Sequence, residues 1–191
     1  MMLTSFLTRL CLAGLLAALP LPALALGEAR VSADVGFTGI RIEASSQVAA
    51  DAETLWQTLT DYDRLASFIP DMKVSRLVSA PGKPKLVEQR ADAGLFAFVM
   101  PNHVVLAMEE KPLGVIRFRA VSGDVATMRG EWVVTGEQAP VRLIYRARVL
   151  PLLPPPPLVS DHFVEAEVRQ RFEAVVKEAE RRMRAKATDK Y

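Results

Sequence analysis

Cysteine is almost absent from this chain. The single one in 191 residues is Cys11, so an internal disulfide is excluded, as is any zinc site built on thiolates. Histidine is nearly as scarce. His103 and His162 stand far apart, and neither has an HxxH or HExxH neighbour, so paired-histidine metal chemistry has no support. Charge of one sign is missing too, with 24 basic against 22 acidic side chains. That balance is no footprint for nucleic acid. No apolar run reaches the roughly 20 residues that a membrane-spanning helix needs. There is no internal repeat, and the only low-complexity tract is Pro154–Pro157. Stability must come from packing, which the 50% hydrophobic content can supply in one domain.

The first 25 residues differ from the rest. Arg9 is their only charge, an apolar run spans Leu10 to Leu19, and Ala23-Leu24-Ala25 offers small residues at a cleavage position. This is the pattern of a secretory signal, cut after Ala25. An uncleaved anchor is the alternative. Cys11 lies within the apolar run and follows Leu10 rather than a small residue, which argues against lipid attachment. Removing residues 1–25 takes away Arg9 and no acid, leaving 23 basic and 22 acidic groups. The expected location is periplasmic or secreted. Residues 26–37 read as a loose mature N-terminus, and 38–187 as the folded domain.

Alternation of Ile40, Ile42 and Ala44 with Arg41 and Glu43 predicts a first strand over 38–48. Asp51 is placed to cap a helix over 52–60, with Leu55, Trp56 and Leu59 on one face. Asp61 is placed to cap a second short helix carrying Leu65, Phe68 and Ile69, ended by Pro70. Strands are expected over 74–79, 85–93, 103–110, 115–121, 128–135 and 141–150, joined by turns such as Pro81-Gly82-Lys83-Pro84. A helix over about 157–185 follows the proline tract, with Val168, Phe172, Val175, Val176, Ala179 and Met183 on one stripe. The expected fold is α+β. A curved seven-stranded antiparallel sheet wraps a long C-terminal helix, and two short helices lie between strands 1 and 2. A curved sheet around one helix rarely fills its own interior, so a cavity is expected.

Three stretches carry a family resemblance: LTDYDRLASFIPDMKVSRLV from Leu59 to Val78, Met128-Arg129-Gly130-Glu131-Trp132, and the proline-introduced C-terminal helix. With these the chain resembles the START-like, helix-grip superfamily, and within it the polyketide cyclase/dehydrase and coenzyme Q-binding branch. The resemblance runs from about Ile40 to Met183. It implies binding of lipids, sterols, quinones or polyketides, with catalysis in only some members, so it speaks to fold more than to function.

Strand alternation sorts the remaining candidates. Leu106, Phe118, Met128, Trp132 and Tyr145 fall on the inward faces, with Phe163, Val168 and Phe172 facing them from the last helix. These read either as ordinary core or as a ligand wall. Gln89 and Tyr145 are the polar members, and each needs a partner that a ligand oxygen can provide. The run Leu95–Met100, with Phe96, Phe98 and Met100, reads as a buried strand segment or as an apolar flap at the cavity mouth. Arg117, Arg119, Arg142, Arg146 and Arg148 fall on the outer face. Pairing with glutamates is the simplest reading of them, and contact with anionic lipid headgroups the alternative.

Catalytic readings find little to stand on. Ser160-Asp161-His162 cannot act as a relay, because adjacent helix residues point in different directions. Glu109 and Glu110 face opposite sides of their strand. The expectation is therefore an exported protein that binds a hydrophobic small molecule, needs no cofactor or metal and takes no nucleic acid. The alternatives are a cyclase or dehydrase acting on a polyketide-like substrate, and an interaction module making transient contact with a membrane surface.

Overall fold

The computed structural model of the protein describes residues 28–92, 94 and 101–189. The segment 1–25, read from sequence as a signal, and the run 95–100 lie outside these residues. The chain begins with strands β1 (Arg30–Gly36) and β2 (Gly39–Val48), followed by helix α1 (Ala52–Thr60) and a 3₁₀ turn (Tyr62–Ser67). Six more strands follow: β3 (Met72–Leu77), β4 (Lys85–Ala91), β5 (His103–Lys111), β6 (Val115–Gly123), β7 (Thr127–Thr135) and β8 (Val141–Leu150). Helix α2 (Asp161–Thr188) ends the described chain. The strands form one antiparallel sheet in the order β1-β2-β8-β7-β6-β5-β4-β3.

The expected α+β helix-grip arrangement is present, with one strand more than the seven expected. The extra strand is β1, in the stretch read from sequence as a loose N-terminus. Val31, Ala33 and Val35 alternate with more exposed neighbours and pair with β2. As an edge strand, β1 would leave a row of N–H groups unpaired. Helix α2 meets that need: Ala33 N donates to Glu165 Oε1 (3.3 Å) and Val35 N to Asp161 Oδ1 (2.8 Å). Arg169 adds a hydrogen bond to the Ala29 carbonyl.

Local capping accounts for both helix starts. Thr54 N donates to Asp51 Oδ1 (2.7 Å), and Phe163 N to Ser160 Oγ (3.3 Å). Asp61 departs from expectation. Its side chain makes no cap on the 3₁₀ turn and instead accepts from Arg182 of α2 at 2.9 Å. A salt bridge across the fold has taken the carboxylate that the local sequence assigned to a cap.

The core lies between the inner sheet face and α2. Ile40, Leu143, Val164 and Phe172 are fully buried there. The outer face is charged and exposed. Its central row alternates in sign, Glu43–Arg146–Glu131–Arg117–Glu109, across five neighbouring strands. The ion pairs along this row span 3.2 to 3.7 Å.

Candidate functional site

A cavity of about 110 Å³ lies between the sheet, the 3₁₀ turn and α2. Its position follows from the grip. The sheet curves away from α2 at its middle, and the Tyr62–Ile69 segment closes one end. Of the side chains expected from sequence, Gln89, Leu106, Phe118, Met128, Trp132, Tyr145, Val168 and Phe172 all line this cavity. Phe163 does not. It is half-buried against the core outside the lining. The reason is helical geometry: Phe163 lies five residues before Val168, which turns it by roughly 140° about the helix axis. Phe96, Phe98 and Met100 fall outside the described residues.

The cavity floor is an aromatic stack. The Trp132 ring centroid lies 4.4 Å from that of Tyr145 and 6.0 Å from that of Phe172. Phe118 and Tyr145 stack at 6.1 Å. Leu59, Leu65 and Ile69 form the end wall.

Apart from the Trp132 indole, four polar side chains break this wall: Tyr62, Gln89, Tyr145 and Arg171. Two are already committed. Tyr62 donates to Glu110 Oε1 (2.6 Å), which also receives Lys85 at 2.8 Å. Burial, together with the Glu110 carboxylate, pushes the Tyr62 phenol up, so it stays protonated. Arg171 is buried, yet its guanidinium reaches Glu167 Oε2 (2.7 Å) and Asp71 Oδ2 (3.0 Å). Asp71 takes this position from a left-handed backbone conformation (φ 60°), which aspartate tolerates better than most residues.

The other two are uncommitted. Among the described residues, neither the Tyr145 hydroxyl nor the Gln89 carboxamide has a hydrogen bond to protein. Tyr145 is buried, and burial alone raises its phenol. Gln89 is half-buried, and both polar groups face the cavity, where a polar atom of a bound molecule can serve as their partner.

Sequence reasoning did not single out Tyr62 or Arg171. Both had a legible signal. Arg171 occupies the second position of the stripe Val168–Arg171–Phe172–Val175, whose spacing lays all four on one face. Tyr62 and Leu65 are three residues apart, which superposes them in a 3₁₀ turn. Conversely, the histidines do not reach the cavity. His103 Nε2 lies 3.2 Å from Glu88 Oε1, but outside the lining and without hydrogen-bond alignment. His162 is exposed on the first turn of α2. Among the described residues, no three or more metal-ligating groups come together.

An antiparallel sheet gripping one long helix over an apolar cavity is the helix-grip fold. The family model described as Polyketide cyclase / dehydrase and lipid transport matches residues 48–184, and the chain belongs to that family. Solved structures agree on the fold. The aromatase/cyclase Zhui from Streptomyces sp. R1128 is similar, with 21% identity and a TM-score of 0.60 over 74% of this chain and 94% of that one. A STAR-related lipid transfer protein from Xanthomonas axonopodis is similar at 14% identity and TM-score 0.61, over 80% of this chain and 93% of that one. A START superfamily protein from Mycobacterium smegmatis matches at 17% identity and TM-score 0.57, over 76% and 97% of the two chains. No curated protein matches in sequence.

Proposed function

We propose that this protein binds a hydrophobic small molecule bearing at least one polar group, held between the inner sheet face and α2. One observation carries the reading: Tyr145 and Gln89 line a largely apolar wall, and among the described residues neither polar group has a hydrogen bond to protein. The phenol of Tyr145 is held protonated by burial, so it presents a donor, while the carboxamide of Gln89 can donate and accept. A carbonyl or hydroxyl on a quinone, polyketide-like or lipid ligand meets both. Apolar burial would supply most of the affinity, at about 25 cal/mol per Å² before ordering costs.

The cavity of about 110 Å³ is smaller than the roughly 300 Å³ at which small-molecule pockets begin. Binding of a ring system therefore requires the end wall at Leu65, Ile69 and Met72 to move outward. Loop gating of this kind is a common device.

Export accompanies this reading. The segment 1–25 has the pattern of a cleavable signal, which places the binding function in the periplasm or outside the cell. The cyclase alternative draws support from the family and from Zhui. Against it, the two cavity phenols are both pushed away from the neutral range that general acid–base catalysis favours.

The test is native mass spectrometry on protein purified without delipidation, followed by titration with a fatty acid, a prenylquinone and an aromatic polyketide. Retention or uptake of one of them, weakened by Tyr145→Phe, supports the proposal. Uptake of none defeats it. Chemical conversion of the polyketide would transfer the case to the enzyme reading.

A further inference from the structure

We infer that the outer face of the sheet, at its β1–β2 and β8 end, docks on an anionic lipid surface. This surface is separate from the cavity, and the inference stands without any assignment of ligand there.

The observation is a cross-strand row of like charge. Register places Arg41 of β2 beside Arg148 of β8, Arg148 beside Arg129 of β7, and Arg129 beside Arg119 of β6. Neighbouring strands lie about 4.8 Å apart, so four guanidiniums span roughly 14 Å. All four residues are exposed and border one open trough of about 990 Å³. Arg41 has an acidic partner, Asp34 at 3.6 Å. Among the described residues Arg119, Arg129 and Arg148 have none. The adjacent row, two residues along each strand, is the fully paired Glu–Arg ladder of the fold. The same sheet thus neutralises one row and leaves its neighbour positive. Like charges directly opposite on adjacent strands destabilise a sheet, so Arg119, Arg129 and Arg148 favour a counter-charge from outside the protein.

What lies on the other side of the row identifies that partner. Continuing β8 past Arg148 leads to Leu150, and following β2 back from Arg41 leads through Gly39 to the hairpin tip at Phe37. Phe37 is fully exposed, and Leu150, Leu152 and Leu153 are exposed as well. Phe37, Leu150 and Leu152 line one shallow apolar groove with the proline tract. Apolar tips bordered by arginines are the arrangement of a protein resting in a bilayer interface, with side chains at the acyl boundary and cations at the phosphates. A nucleic acid would satisfy the arginines but leave the exposed leucines and Phe37 in water. The lipid surface accounts for both.

The test measures sedimentation of the full chain with two kinds of vesicle. One is pure phosphatidylcholine, the other about one part phosphatidylglycerol to two of phosphatidylcholine. The readout is the ratio of the two affinities, which cancels any purely apolar contribution from residues 1–25. Each arginine near an anionic surface contributes on the order of fivefold. Arg129→Gln with Arg148→Gln should therefore lower the ratio roughly 25-fold. Lys73→Gln with Arg184→Gln, matched in charge but remote from the row, should change it by less than about threefold. Phe37→Ser should weaken binding to both vesicles. Equal losses for the two double variants overturn the inference, as does a ratio near one for the unaltered chain. Tighter binding to a single-stranded DNA oligonucleotide than to the anionic vesicles would overturn it too. Thermal midpoints no lower than that of the unaltered chain, with unchanged native mass spectra of the variants, separate this result from any failure of the cavity.

Discussion

Phe118 and Gly130 are directly paired across β6 and β7, and the phenyl ring lies over the glycine. A β-carbon built on Gly130 would come within 2.5 Å of Phe118 Cζ and would also collide with the Arg146 carbonyl. The absence of a side chain at 130 is what lets Phe118 lie flat beside Tyr145 on the cavity floor. Gly130→Ala should destabilise the fold by about 1–3 kcal/mol, since the backbone of β8 cannot yield as a flexible side chain could. Urea denaturation checks this. An unchanged midpoint would refute the packing argument.

Tyr145→Phe separates binding from stability. The hydroxyl has no protein partner among the described residues, so its removal should leave the ligand-free fold unchanged or slightly more stable. Ligand affinity should fall roughly 2- to 10-fold, the worth of one hydrogen bond. Paired thermal melts and titrations test both halves. A large loss of stability would show that the hydroxyl serves the fold instead.

Glu178 predicts an acid-side pH dependence. Hydrogen bonds from Arg181 (2.7 Å), then from Arg182 (2.8 Å), outweigh partial burial and lower its carboxyl from the ordinary 4.5 to about 2. Arg182 also holds Asp61, so the cluster ties α2 to the end of α1. A carboxyl depressed in the folded state stabilises fully above its unfolded value. That contribution should fade as pH falls from 4.5 toward 2. Glu178→Gln removes the titrating group, so the stability gap between the unaltered chain and the variant should narrow over that interval. A gap independent of pH would sink the prediction.

Arg148→Glu converts the all-arginine row into an alternating one, with opposite charges at Arg41 and Arg129 on either side. It should raise stability by about 0.2–1 kcal/mol at low ionic strength. The gain should shrink in concentrated salt as exposed charges are screened. Thermal melts at two salt concentrations decide the matter. A loss of stability at low salt would mean that the row is not under repulsion.

Much of the fold was legible because it is locally encoded. Val141–Leu150 and Ala52–Thr60 have the bounds that alternation and capping indicate. Asp51 caps as its position suggests, since the group it binds lies three residues away. Strand β1 was harder. Its inward residues Val31, Ala33 and Val35 are small and half-buried, and the strand is completed by acids from α2 far along the chain. The cavity was read in the same way, well on the strands and less well on α2. Strand alternation assigns a face without ambiguity, whereas Phe163 and Arg171 depended on which side of the helix turns to the sheet.

The sequence by itself determined the alternation of inward and outward residues, the start of α1 and the helix-grip character of the chain. Only the tertiary structure decided which outward arginines stand side by side and which inward polar groups lack partners. The physical reason is register. Alternation assigns each side chain to a face, but pairing between strands distant in sequence sets its neighbours. That pairing placed Arg148 between Arg41 and Arg129 in an unpaired row, and Arg146 between Glu43 and Glu131 in a neutral one.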